Sequence, residues 1–144
     1  MAKLPPEVRQ LMLERQEMAE AIVAEDGPLD EYLRARGAVP ATATVYLFGS
    51  TATGRSEKNG RYLREESDLD LMVYAERADG EQWRIDDGPN PAFRYRDVQV
   101  EVIGGRVQDA VDGQLLAEHG MEPVDYTATR EVPLDAILLR KPRQ

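Results

Sequence analysis

The run Asp68-Leu69-Asp70-Leu71-Met72-Val73 admits few local structures, because two carboxylates stand one residue apart inside an apolar stretch. In a strand, side chains at i and i+2 leave the same face, so Asp68 and Asp70 project together while Leu69 and Leu71 go to the other side. Two like charges held that close resist joint ionisation unless a cation neutralises them or one carboxyl keeps its proton. Hard oxygen ligands on a rigid strand suit Mg²⁺, which keeps several waters and binds through one or two carboxylates plus substrate phosphates. A third carboxylate on an adjacent strand, facing the same way, would complete a site for two metal ions.

Phe93 to Ile103 offers that third group. Asp97, Gln99 and Glu101 alternate with Val98, Val100 and Val102, a period of two that predicts one strand with an apolar and a polar face. Glu101, in the middle of Val100-Glu101-Val102, is the expected third acid and Asp97 the fallback. At about 3.3 Å rise per residue the two are about 13 Å apart, so only one can join Asp68 and Asp70.

Upstream, Thr44-Val45-Tyr46-Leu47-Phe48 reads as a buried strand that ends at Gly49-Ser50. A glycine lets the backbone approach a ligand closely, and amides at a helix start attract anions, so this turn is a candidate seat for β- and γ-phosphates. An ordinary turn with Ser50 as N-cap is the competing reading.

Around these motifs the chain organises simply. Its 144 residues predict a single domain, 1–144, with two N-terminal helices over 5–36 and a core over 44–120. Val8, Leu11, Met12, Ala19, Ile22 and Val23 mark the apolar face of the first helix, and Leu29, Tyr32 and Leu33 that of the second. Gln82–Asp86 is expected to form a hairpin with the 93–103 strand. A helix over 107–115 and a short strand or helix over 136–139 complete the forecast. Trp83, Phe93 and Tyr95 are expected to pack rather than to stack on a base, and His119 to sit at a helix end.

The sequence has no cysteine, which removes thiolate chemistry and cysteine zinc sites. Its net charge is −9, with 27 acidic against 18 basic residues, which argues against a generic nucleic-acid binder. Arg140-Lys141-Pro142-Arg143 is the local exception and reads as a solvated terminus. With no run long enough to span a membrane and no apolar leader at Met1 to Pro6, a cytoplasmic protein without membrane contact is expected.

Leu47-Phe48-Gly49-Ser50-Thr51-Ala52-Thr53-Gly54-Arg55, Ser67-Asp68-Leu69-Asp70-Leu71-Met72-Val73 and Val100-Glu101-Val102 together resemble the nucleotidyltransferase superfamily typified by DNA polymerase β. The likeness is to its small members, the minimal and the antibiotic nucleotidyltransferases, and covers about Val45 to Ile103. It implies an α/β (α+β) fold with a short mixed sheet flanked by helices. By this resemblance Gly49, Ser50 and Arg55 would bind the nucleotide, while Asp68, Asp70 and Glu101 would be catalytic and hold two Mg²⁺ ions. A nucleoside monophosphate, AMP from ATP in the leading case, would pass to an acceptor hydroxyl and release pyrophosphate. The acceptor would be an antibiotic-like small molecule, a partner protein or an RNA. In antibiotic-modifying members the third acid also serves as general base. The alternative is a non-catalytic nucleotide-binding regulator or an antitoxin-like protein that acts by contact.

The chain departs from the pattern in two ways. Seventeen residues, 51–67, separate Ser50 from Asp68, more than the family commonly shows, and they carry Lys58, Arg61 and Arg64. These cations are candidates to close over a triphosphate. No long helical domain follows Glu101, so an acceptor pocket would come from a dimer mate, a partner protein or the N-terminal helices. A second exposed face on the first helix would support such a homodimer.

Overall fold

Pro5-Pro6 starts α1 (Pro6–Val23), with proline at a position where its missing N–H costs no helical bond. The same device opens α2 (Pro28–Ala35), where Asp30 and Glu31 in the first turn suit the positive end of the helix dipole. The computed structural model describes residues 4–55, 60–83, 90–105 and 136–143. Both helices therefore stand where the apolar spacing places them.

Five strands follow: β1 (Ala38–Phe48), β2 (Leu69–Arg77), β3 (Asn90–Tyr95), β4 (Val98–Gly105) and β5 (Ile137–Arg140), with the single-turn helix α3 (Ser50–Thr53) after β1. They form one mixed sheet in the order β3-β4-β2-β1-β5. β2 and β4 run parallel, and the other neighbours run antiparallel. The structure is thus mixed α and β. β1 starts six residues before the expected Thr44, because a register shift between Val39 and Thr44 accommodates Pro40 within the strand.

Alternation sorts the sheet into two faces. Val45 and Leu47 of β1, Leu69, Leu71 and Val73 of β2, and Val98, Val100 and Val102 of β4 join Ala19, Ile22, Leu29 and Leu33 of the helices in the main core. Tyr46, Met72 and Tyr74 form a second buried cluster, with Phe48 and Leu138 against it. Asp70 shares the parity of Met72 and Tyr74, and Glu101 is out of phase with the buried valines of β4. Both acids therefore leave the sheet on the face opposite α1 and α2.

The expected single strand over 93–103 is corrected to a hairpin. Arg96 and Asp97 have φ of 48° and 66°, and Tyr95 pairs with Val98, so they are the two central residues of a tight turn with positive φ at both positions. Neither is glycine, and the only local mark of the turn is that two polar residues, Arg96 and Asp97, stand side by side and break the alternation. A two-residue turn inverts parity relative to a continuous strand. Arg94 lies opposite Gln99 and joins the acid face, while Phe93 and Tyr95 pack on the main core. The Phe93 ring sits 5.7 Å from that of Tyr32.

Trp83 is buried, and its indole N–H donates to Arg36 O at 3.2 Å. Gln82 bridges to Glu76, and the Trp83 amide donates to Ala75 O. The chain therefore folds back on the end of β2 here, where a hairpin with the 93–103 strand was expected. Residues 84–86 of the expected 82–86 strand, the helix over 107–115 and His119 lie outside the described residues. The 136–139 element is a strand, β5, beside β1.

The basic tail is also corrected. Arg140 and Arg143 both donate to the fully buried Asp30 carboxylate, and Arg140 adds bonds to Val23 O and Pro40 O. These residues clamp β5 to the α1–α2 connection. Among the described residues, no helix is long and apolar enough to cross a membrane.

Candidate active site

Asp70 and Glu101 are Cα partners across the parallel β2–β4 pair. The ladder starts at Leu69–Val100, so Asp68 stands one residue before it, at the end of the sheet where β2 enters. Its carboxyl lies within hydrogen-bond reach of that of Glu101, and Gln99 Nε2 donates to Asp68 Oδ2 at 3.4 Å. Burial first, then the Glu101 carboxylate, push the Asp68 carboxyl above its ordinary range, while the Gln99 amide and the Arg94 charge pull the other way.

Asp97, the fallback third acid, is an exposed residue of the hairpin turn and lies off the β2–β4 ladder that pairs Asp70 with Glu101. The structure brings Asp68 and Glu101 into contact and sets Asp70 beside Glu101 in register. Among the described residues, no three acids or imidazoles are gathered into a group that could hold a metal ion as they stand.

On the other side of Asp70 lies the Gly-Ser turn. Phe48 pairs with Asp70, and Gly49 follows with φ of 75°; a Cβ there would stand 2.7 Å from Asp70 Oδ2. Only glycine serves both the backbone angle and the close approach. Gly49 caps α3, its carbonyl accepting the Ala52 and Thr53 amides, and Ser50 is the first helical residue rather than the cap. Arg55, past the end of α3, is exposed; its guanidinium lies over the Tyr62 ring at 4.6 Å and donates to Tyr62 Oη.

The long spacing between Ser50 and Asp68 closes on itself. Arg55 and Tyr62 form an antiparallel bridge, the Leu63 amide donates to Gly54 O at 2.9 Å, and the Leu63 side chain is buried. The Gly54 and Leu63 ends of the excursion therefore lie side by side. Arg61 and Arg64 are exposed, and Lys58 lies outside the described residues. Between Leu63 and Asp68 the chain makes a turn, with the Ser67 amide bonded to Arg64 O and the Arg64 amide to Ser67 Oγ.

Four residues near the site escaped the sequence reading as contributors: Arg94, Gln99, Arg15 and Gln16. Gln99 lay on the expected polar face, but its bond to Asp68 depends on the strand pairing. Arg94 reaches the acid face only through the inverted parity of the hairpin. Arg15 and Gln16 looked like the solvent side of an amphipathic helix. No protein-family model, curated protein or solved structure matches this chain.

Three carboxylates carry hard oxygen donors of the kind divalent cations favour. The Asp68–Glu101 pair, whose joint ionisation is resisted, is a setting that a cation would relieve. Asp68 and Glu101 are thus a carboxylate pair of the kind that Mg²⁺ binds together with substrate phosphates.

Proposed function

We propose that the chain is a nucleotidyltransferase with a polymerase β-like catalytic sheet, which transfers AMP from ATP to an acceptor hydroxyl. The observation that carries this reading is one juxtaposition: Asp70 flanked by Glu101 across the parallel ladder on one side and by Gly49 on the other, with Asp68 against Glu101. It joins a close-approach turn suited to phosphate with a carboxylate cluster suited to a cation, at one end of one sheet.

Asp68, Asp70 and Glu101 would hold Mg²⁺, and the bound ion would supply charge neutralisation for the triphosphate. The Gly49-Ser50 backbone would seat the phosphates, with the Asp70 carboxylate directly against Gly49. Gln99 orients the Asp68 carboxylate by its amide, and Arg94 adds positive charge on the same face. Glu101 would take the proton of an acceptor hydroxyl that comes within hydrogen-bond reach.

Labelled ATP supplied to the purified protein with lysate of the source cell tests this directly. A labelled species that appears with the wild-type chain and is absent with Asp70→Asn supports transfer and reveals the acceptor. Equal labelling by both proteins, or none, sinks the assignment, and binding of MgATP without turnover would favour the regulator instead.

A further inference from the structure

α1 meets the site twice, through consecutive residues. Arg15 is 4 % exposed; its Nη1 donates to Ser67 O at 2.7 Å and its Nη2 to Glu65 O. Gln16 Nε2 donates to Thr51 O at 3.2 Å. One contact falls on the segment that delivers Asp68, and the other on the turn that follows Ser50.

Both contacts go where the backbone lacks regular support. Residues 65–67 form a turn outside the sheet, and Asp68 precedes the first ladder pair, so no strand partner fixes the approach to it. Thr51 lies in a single-turn helix, whose last carbonyls have no helical partner. The amide that would reach back to it, that of Arg55, bonds Thr53 Oγ1 instead.

A buried guanidinium is a costly way to fill space, because an unpaired buried charge loses several kcal/mol of hydration. An apolar side chain would serve packing alone at this point of α1. Arg15 supplies instead a rigid fork of donors to two carbonyls in one turn. Glu65, Glu14, Asp68 and Glu66 surround the cation.

We propose that Arg15 and Gln16 are positioning residues which hold the Asp68 limb and the Gly49-Ser50 turn at a fixed separation, so that α1 acts as the spacer between cation and phosphate seats. The ligands rest on the nucleotidyltransferase reading; the hold itself does not. Arg15 acts on Asp68 through the backbone of 65–67, and Gln16 acts on the turn through Thr51.

Residue-resolved hydrogen exchange on the full chain, paired with titrations of Mn²⁺ alone and of MgATP, separates the two ideas. In Arg15→Met, exchange at Ser67 to Asp70 should rise about tenfold or more while the centre of β2 keeps its protection. Mn²⁺ affinity should fall about 10- to 100-fold, as when the groups orienting a metal ligand are removed.

Gln16→Ala should loosen the amides of Ala52 to Gly54 and weaken MgATP while leaving Mn²⁺ binding in place. Arg15→Lys should give exchange between wild type and Met, and it carries the test if Arg15→Met does not fold. A folded Arg15 variant with wild-type exchange at Ser67 to Asp70, or Gln16→Ala with wild-type exchange at Ala52 to Gly54, overturns the proposal. If the wild type binds no Mn²⁺, or Asp68→Asn binds it equally, the reaction assignment falls while exchange still decides the role of α1.

Discussion

Gly49 and Asp70 meet so closely that a methyl group on the glycine would stand 2.7 Å from Asp70 Oδ2. The contact follows from the antiparallel β1–β2 register, in which Phe48 and Asp70 are partners. It ties the end of one strand to the start of the next, so the turn cannot change without moving the acid.

Gly49→Ala should therefore damage the site out of proportion to its size. The backbone there, φ 75° and ψ −156°, lies in a region that is essentially glycine's own and costs another residue about 1–3 kcal/mol, and the new methyl group displaces the carboxylate. Chemical denaturation should show a loss of that order, and calorimetry should show MgATP binding abolished. Wild-type affinity in this variant would separate the turn from the nucleotide.

Asp68→Asn should raise stability while ending activity. The folded carboxyl lies above its ordinary value because of burial and the Glu101 charge. A group shifted that way loses stability as pH rises from its unfolded value through its folded one. Removing it should raise the melting temperature of the cation-free protein at neutral pH, flatten that slope and reduce AMP transfer by about 100-fold or more. A lower melting temperature would contradict the like-charge account.

The Asp30 cluster should govern the acid limb of stability. Burial alone would raise this carboxyl, but hydrogen bonds from Arg140, the Asp26 amide and Arg143 outweigh it and hold it below its ordinary value. Its contribution is complete above the unfolded value of about 3.9 and disappears as pH falls through the lower folded value. Asp30→Ala leaves Arg140 buried without its anion and should cost about 3–5 kcal/mol at neutral pH. Equilibrium unfolding across the acid range checks both the size and the sign.

Arg96→Asn with Asp97→Gly should stabilise the protein by about 1 kcal/mol, since both positions have positive φ and an Asn-Gly pair suits such a turn. AMP transfer should survive this double change and be lost in Glu101→Gln. Loss of transfer in the turn variant would restore a role for Asp97.

Much of the frame was legible from spacing. The helical steps of Val8, Ala19 and Ile22 and the alternation of Leu69, Leu71 and Val73 each mark a buried face, and those residues are buried. Parity put Asp68 with Asp70 on one face of their strand, and the β2–β4 ladder sets Glu101 beside Asp70. The hairpin turn was hidden because Arg96 and Asp97 take glycine-like angles without glycine. Arg15 was hidden because a charged residue on a helix signals solvent unless its carbonyl partners, fifty residues on, are known. The Arg140–Asp30 pair spans 110 residues, a separation at which no local pattern reports.

The bond from Leu63 to Gly54 gives the protein a modular joint. With the two ends of the excursion stapled together, its length is uncoupled from the placement of Asp68, and added residues cost only a slowly growing loop entropy. Between Arg55 and Tyr62, this joint is the place to graft a recognition peptide or a reporter without retuning the acids.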